Sequence, residues 1–341
     1  MSVAVPGSAE GTAKGFRLQW LDYVRGMNIL VVVFVHVWRG LVGSGVTAES
    51  PRVDFFLDCI APMSLFFFIS GMFISKTVDL APREYLNLKL RDFAYPYAIW
   101  VTLHALTHAA AGGNANREFP LADLWTAIYD PPWHYWFLYT LFAVQLLYYA
   151  ARRLRIAPLW FLVFMIGLYL TIDLKWIDFG PWGVFYQVRR YGLWFALGLV
   201  INRGEPVRWL SHAPTAALVP ITVAGFAFAA WAVSLGARDL HATILPLALA
   251  SGTAQLSLAV LLERGKMLGF ITLWGRRSLE IYLAHVIFLA VVRIALQRVL
   301  GIEALPIHLI LGMLAGLYVP IALAWACNRL DFNYLFSLRA R

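Results

Sequence analysis

Ten blocks of predominantly apolar residues divide this chain: 20–42, 55–75, 92–112, 133–151, 156–172, 183–202, 214–235, 243–263, 278–297 and 305–327. A helix that crosses a bilayer needs about 20 such residues. In lipid the backbone must satisfy its own hydrogen bonds, which leaves helices or a closed barrel, and blocks of this length suit helices. The expected fold is therefore all-α, a polytopic transmembrane helix bundle of about ten spans. Composition agrees, with 61% hydrophobic and 14% charged residues, against about 25% charged in a typical soluble domain. The net charge of +9 does not point to nucleic acid, because the cations lie in short loops between blocks and form no single basic patch. Cys59 and Cys327 both fall in apolar blocks and make neither zinc spacing nor a disulfide framework.

The loops set the orientation. Cytoplasmic loops carry the excess of Lys and Arg. The N-terminus, the even-numbered loops and the C-terminus together hold eighteen: Lys14, Arg17, Lys76, Arg83, Lys89, Arg91, Arg152, Arg153, Arg155, Arg203, Arg208, Arg264, Lys266, Arg276, Arg277, Arg329, Arg339 and Arg341. The opposite side offers seven: Arg39, Arg52, Arg117, Lys175, Arg238, Arg293 and Arg298. Both termini are expected in the cytoplasm, with residues 1–17 and 331–341 as tails around a single 18–330 transmembrane domain. No apolar core precedes Trp20, so the first helix is expected to be retained and not cleaved as a signal. The longest outer connection, 113–132, contains Leu121–Tyr129, which reads as a short interfacial helix.

Polar groups inside these blocks carry the functional reading, because ionisable side chains at membrane depth are expensive and usually functional. The first block holds Asp22, Arg25 and His36. Arg25 and His36 return to nearly the same helix face about 16 Å apart, and Asp22 lies one turn before Arg25. Histidine titrates near 6.5 and is a good candidate base. Ser70-Gly71 permits close helix approach. Trp133 and Trp136, with Trp125, Tyr129, Trp176 and Trp182, make an outer aromatic surface, suited to an interfacial belt or to the C–H faces of sugar rings. Ser278, Tyr282 and His285 share one helical face. Arg189 and Arg190 offer an anion site or buried ion pairs. His104 and His108 have the i, i+4 spacing of a metal pair but no further ligand in view, so no metal site is expected.

Together these segments resemble the acyltransferase 3 family of polytopic membrane O-acyltransferases. The matching residues are Asp22, Arg25-Gly26 and His36; Phe67-Phe68-Ile69-Ser70-Gly71; Trp136-Phe137-Leu138; Trp194-Phe195-Ala196-Leu197-Gly198; and Ser278-Leu279-Glu280-Ile281-Tyr282-Leu283-Ala284-His285. The chain departs from the family at Lys89-Leu90-Arg91-Asp92-Phe93-Ala94-Tyr95-Pro96, where relatives carry a pair of arginines before the proline, and at Ser64, where relatives often have proline. The likeness is to stand-alone members, including those that acetylate exopolysaccharides or succinylate periplasmic glucans.

The resemblance implies transfer of an acyl group, most often acetyl, from cytoplasmic acyl-CoA to a hydroxyl of an envelope or exported glycan or glycolipid in a bacterial cytoplasmic (inner) membrane. No bound cofactor is expected; acyl-CoA is a co-substrate. His36 is the candidate base or acyl relay, with Arg25 and Asp22 beside it. Arg91, Arg189 and Arg190 are candidates for the CoA phosphates. Ser70, Trp133, Trp136, Ser278, Tyr282 and His285 are candidates for acceptor binding or helix packing. The alternative is a transporter or flippase of a polar or glycan substrate, whose pointers would be symmetric halves and paired broken helices.

Overall fold

The computed structural model describes residues 18–112, 120–174, 177–201, 204–236 and 241–338. The 1–17 tail, the start of the 113–132 connection, Trp176, the side chain of Lys76 and the loop cations Arg117, Lys175, Arg203, Arg238, Arg339 and Arg341 lie outside the described residues. Among the described residues the chain is all helical: α1 (Trp20–Gly43), α2 (Pro51–Ile60), α3 (Pro62–Phe73), α4 (Pro82–Lys89), α5 (Tyr95–Ala111), α6 (Trp136–Arg153), α7 (Pro158–Leu174), α8 (Gly183–Ile201), α9 (Glu205–His212), α10 (Thr215–Ser234), α11 (His241–Arg264), α12 (Ile271–Arg276), α13 (Ser278–Ile294) and α14 (Leu305–Arg329).

Every expected block is helical, and six of the helices are long and apolar enough to cross a membrane: Trp20–Gly43, Pro51–Phe73, Thr215–Ser234, Thr243–Arg264, Ser278–Val299 and Leu305–Arg329. α7 is apolar but shorter. α5, α6 and α8 hold inward-facing polar groups, such as His104, Gln145 and Arg189, which dilute their hydropathy. Large apolar side chains point outward instead, Trp160, Phe164, Val223, Trp231, Ile310 and Trp325 among them. A soluble helix would put these residues inside.

The second block breaks where a continuous helix was expected. Ala61 adopts φ 44° between α2 and α3. Pro62 follows it, and a proline disfavours helical geometry in the residue before it. The break frees the carbonyl of Ile60, which accepts from Gln255 Nε2 at 2.7 Å and Ser251 Oγ at 3.2 Å on α11. Non-helical backbone survives at membrane depth only where protein re-satisfies it in this way. A second irregularity precedes α5. Pro96 has no N–H to donate, and the turn Leu90–Ala94 is π-helical.

Two glycine crossings lock the bundle around α1 and α3. A Cβ on Gly71 would strike the carbonyl of Phe195, and one on Gly198 would strike that of Phe68, so α3 and α8 meet backbone to backbone. Gly26 meets the carbonyl of Ile271 and Gly275 that of Asp22, which does the same for α1 and α12. Gly71→Ala is therefore expected to lower stability in detergent by about 1–3 kcal/mol, the usual cost of overpacking. An unchanged melting temperature would remove the close crossing. Past α14 the chain does not leave the bundle: Tyr95 and Trp100 donate to the carbonyls of Tyr334 and Leu335, both at 2.7 Å.

Candidate active site

α1, the centre of the bundle, has a well at each end. The first, about 310 Å³, is lined by Arg25 and Ile29 of α1, Ser70 and Phe73 of α3, Lys89, Asp92 and Phe93 at the π-helical turn, Leu138 and Gln145 of α6, and Ser278 and Tyr282 of α13. The second, about 510 Å³, is lined by His36 and Arg39 of α1, His104 and His108 of α5, Trp133, His134 and Trp136, and Arg293 of α13. No residue lines both wells. Ile29 and His36 are seven residues apart, so the wall between the wells is about 10 Å thick along α1.

The wall is polar. His134 Nε2 donates to the Tyr282 carbonyl at 3.0 Å, the Tyr282 hydroxyl donates back to the His134 carbonyl at 2.6 Å, and the Tyr135 hydroxyl donates to the Leu283 carbonyl at 3.0 Å. These bonds tie the start of α6 to α13. On the side of the second well three imidazoles meet edge to face. The His36 ring lies 5.6 Å from His134 and 4.9 Å from His285, and those two are 4.9 Å apart. A carbonyl oxygen only accepts, so the ring nitrogen facing one carries the proton. His36 Nδ1 faces the Val32 carbonyl at 2.8 Å, which leaves Nε2 as its lone-pair atom. That is the protonation state a base requires.

The first well carries cations. Arg25 lies 5.7 Å over the Phe73 ring and 4.0 Å from the buried carboxylate of Asp22. Lys89 is buried, with Nζ 5.1 Å over Tyr85 and 5.7 Å over Phe93. Gln145 Nε2 donates to Ser70 Oγ at 3.1 Å on the wall of the same well.

Several sequence-predicted residues stand elsewhere. Arg25 and His36 share a helix face but line opposite wells. Asp22 lines neither well and stands behind Arg25 as its counter-charge. Arg91 is exposed and outside the first well; Lys89, two residues earlier and about 200° around the helix, takes the inward place. Arg189 and Arg190 line neither well. Arg189 instead pins the loop before α8, donating to the Ile177 carbonyl at 3.2 Å beneath the Phe179 and Tyr186 rings, and Arg190 is exposed over Tyr191. In that loop Asp178 accepts from the Tyr186 hydroxyl and from Gly180 N–H, which hold its carboxyl below the usual range.

Trp133 lines the second well with φ 52°, stacked on His104 with ring centroids 4.1 Å apart. Trp136 stacks on Tyr191 at 5.1 Å. Ser70, Ser278 and Tyr282 all line the first well, and His285 is fully buried in the wall. Sequence reasoning missed Lys89 and His134. Lys89, Asp92 and Phe93 fall at i, i+3 and i+4, a one-face pattern that was readable. His134 had only its proximity to Trp133 and Trp136 to mark it. Among the described residues no three His, Cys, Asp or Glu side chains are arranged to hold a metal ion.

A membrane-length helical bundle with one well on each side of a histidine-lined wall, each lined by basic and aromatic side chains, defines a membrane-embedded protein that can bring two reactants to one barrier. The chain belongs to the acyltransferase 3 family: the family model, described as an acyltransferase domain, matches residues 18–325. It is an integral membrane acyltransferase. No curated protein and no solved structure matches it significantly.

Proposed function

We propose that this acyltransferase takes an acyl group, acetyl in the first instance, from acyl-CoA in the Arg25 well and delivers it to a glycan hydroxyl in the His36 well. The observation that carries this is the pair of wells meeting at one thin wall. The Arg25 well offers Arg25 and Lys89, beside Asp92, to pyrophosphate and phosphate groups, and lies on the side of the loop cations. The pantetheine arm is narrow and long enough to carry a thioester through a wall of this thickness. The His36 well has Trp133 and Trp136 for sugar faces and His36 Nε2 for the attacking hydroxyl. The excess of loop cations supports a cytoplasmic side for the Arg25 well and for residues 1–17 and 331–341, in a bacterial inner membrane crossed about ten times.

Sided vesicles test the reading. Labelled acetyl-CoA does not cross a sealed bilayer. Inverted vesicles sealed around a host glycan fraction and given acetyl-CoA outside are expected to label the trapped glycan, and sealed right-side-out vesicles given both outside are not. Equal labelling in both would overturn the sidedness. No labelling from acetyl-CoA or succinyl-CoA in either would overturn the donor.

A further inference from the structure

Three neutral imidazoles carry three N–H groups, and in the wall all three are committed to main-chain carbonyls. His36 Nδ1 donates to Val32 at 2.8 Å, His134 Nε2 to Tyr282 at 3.0 Å, and His285 Nδ1 to Ile281 and Tyr282, both at 2.9 Å. The other three ring nitrogens are therefore lone pairs. Two of them, His134 Nδ1 and His285 Nε2, are buried with no hydrogen-bond partner among the described residues. The third belongs to the ring that lines the second well. Buried acceptors without donors are unfavourable, and lone pair against lone pair gives no bond. One added proton changes that, because a protonated ring beside a neutral one makes a charge-assisted N–H···N bond. Ring centroids 4.9–5.6 Å apart allow facing nitrogens to reach hydrogen-bond distance. The carbonyl bonds on the far sides of His134 and His285 fix their tautomers, so these two lone pairs stay available.

We propose that His134 and His285 are positioning residues for acyl transfer, accepting in hydrogen bonds the charge of the proton that His36 removes from the attacking hydroxyl. This rests on the reading above, in which His36 is the base. The hydroxyl oxygen bonds to the thioester carbon as its O–H proton passes to His36 Nε2. The C–S bond then breaks, and the CoA thiolate takes that proton from the imidazolium. One ester and one thiol leave, and the three rings return to neutrality. Without the two neighbours the imidazolium would form in the wall with no acceptor from these rings, and with Arg39, a charge of the same sign, one turn on along its own helix.

Two substitutions remove one lone pair each and keep the carbonyl bond. His285→Asn retains an amide N–H where Nδ1 stood. His134→Gln retains one where Nε2 stood. With acetyl-CoA and a host glycan fraction, each is expected to lower the maximal rate about 10- to 100-fold, part of the 10²–10⁴ that a general base supplies. KM for acetyl-CoA should stay unchanged. Hydroxylamine, a nucleophile that needs little base assistance, should restore donor turnover in both variants and in His36→Ala.

Wild type inactive with either acceptor would overturn the acyl-CoA reading itself. Wild type active, His36→Ala inactive and both new variants within twofold of wild type would leave that reading standing and overturn this one. Losses accompanied by a raised donor KM, or not rescued by hydroxylamine, would mark a structural role and also overturn it. Imidazole ¹⁵N spectra of the wild type need no variant to fold: His36 and His285 are expected as Nδ1–H and His134 as Nε2–H, and the opposite tautomer at His134 or His285 would sink the proposal.

Discussion

Replacing His36 with alanine is expected to reduce acyl transfer by about 10²- to 10⁴-fold, the range that a positioned general base contributes. The choice of His36 over its neighbours is geometric. His285 is fully buried and lines neither well, so no hydroxyl reaches it. His104 and His108 line the second well but lie against Trp133, at 4.1 and 5.1 Å, and neither makes the ring contact with His285 that His36 makes. His134 also lines the well, but its lone-pair nitrogen Nδ1 is buried, whereas His36 lines the well and meets both His134 and His285. The variant should insert normally, since the lost side chain bonds only to Val32 of its own helix. Near-wild-type transfer would remove His36 from the chemistry. If His36 instead carries the acyl group as a covalent relay, acceptor-free wild type will retain label on the protein and the variant will not. A pure base leaves both unlabelled.

Arg25→Gln and Lys89→Gln are each expected to raise the KM for acyl-CoA by about 10- to 100-fold with little change in maximal rate, since a hydrogen bond to a charged group contributes about 1.5–3 kcal/mol. Both cations line the first well and neither lines the second, so they bind without touching the reacting centre. Arg91→Gln provides the contrast: its side chain is exposed outside the well, and its KM should stay within about twofold, as for an ordinary surface change. A large KM effect at Arg91 with none at Lys89 would place the donor phosphates elsewhere.

The positions of the helices were legible because lipid permits so few structures for a long apolar block. Their continuity was not. Ala61-Pro62 was a visible break signal, but whether it breaks the helix depends on Ser251 and Gln255, which rescue the Ile60 carbonyl from about 190 residues away. The motifs likewise divide by physical role. Ser70-Gly71 and Phe195-Ala196-Leu197-Gly198 turn out to be two halves of one crossing, a role close approach predicts but cannot pair. Arg25 and His36, singled out by their position in lipid, each line a well, whereas Arg189 shows that a buried guanidinium can serve a loop. Lys89 was hidden by an expectation of arginine, and His134 by its aromatic neighbours. The histidine cluster joins α1, the turn before α6 and α13, and no local pattern states which distant segments share a wall.

The reciprocal bonds between His134 and Tyr282 have a consequence for the membrane itself. In the arrangement proposed above, wells open toward opposite faces leave only one thin layer of protein between two aqueous compartments, and a standing gap there would short-circuit the ion gradients the bilayer maintains. A hydroxyl-to-carbonyl bond and an imidazole-to-carbonyl bond running in opposite directions hold that layer together. The arm that parts them fills the gap it makes. In such an arrangement the substrate serves as its own gasket, and insulation and catalysis depend on the same few atoms.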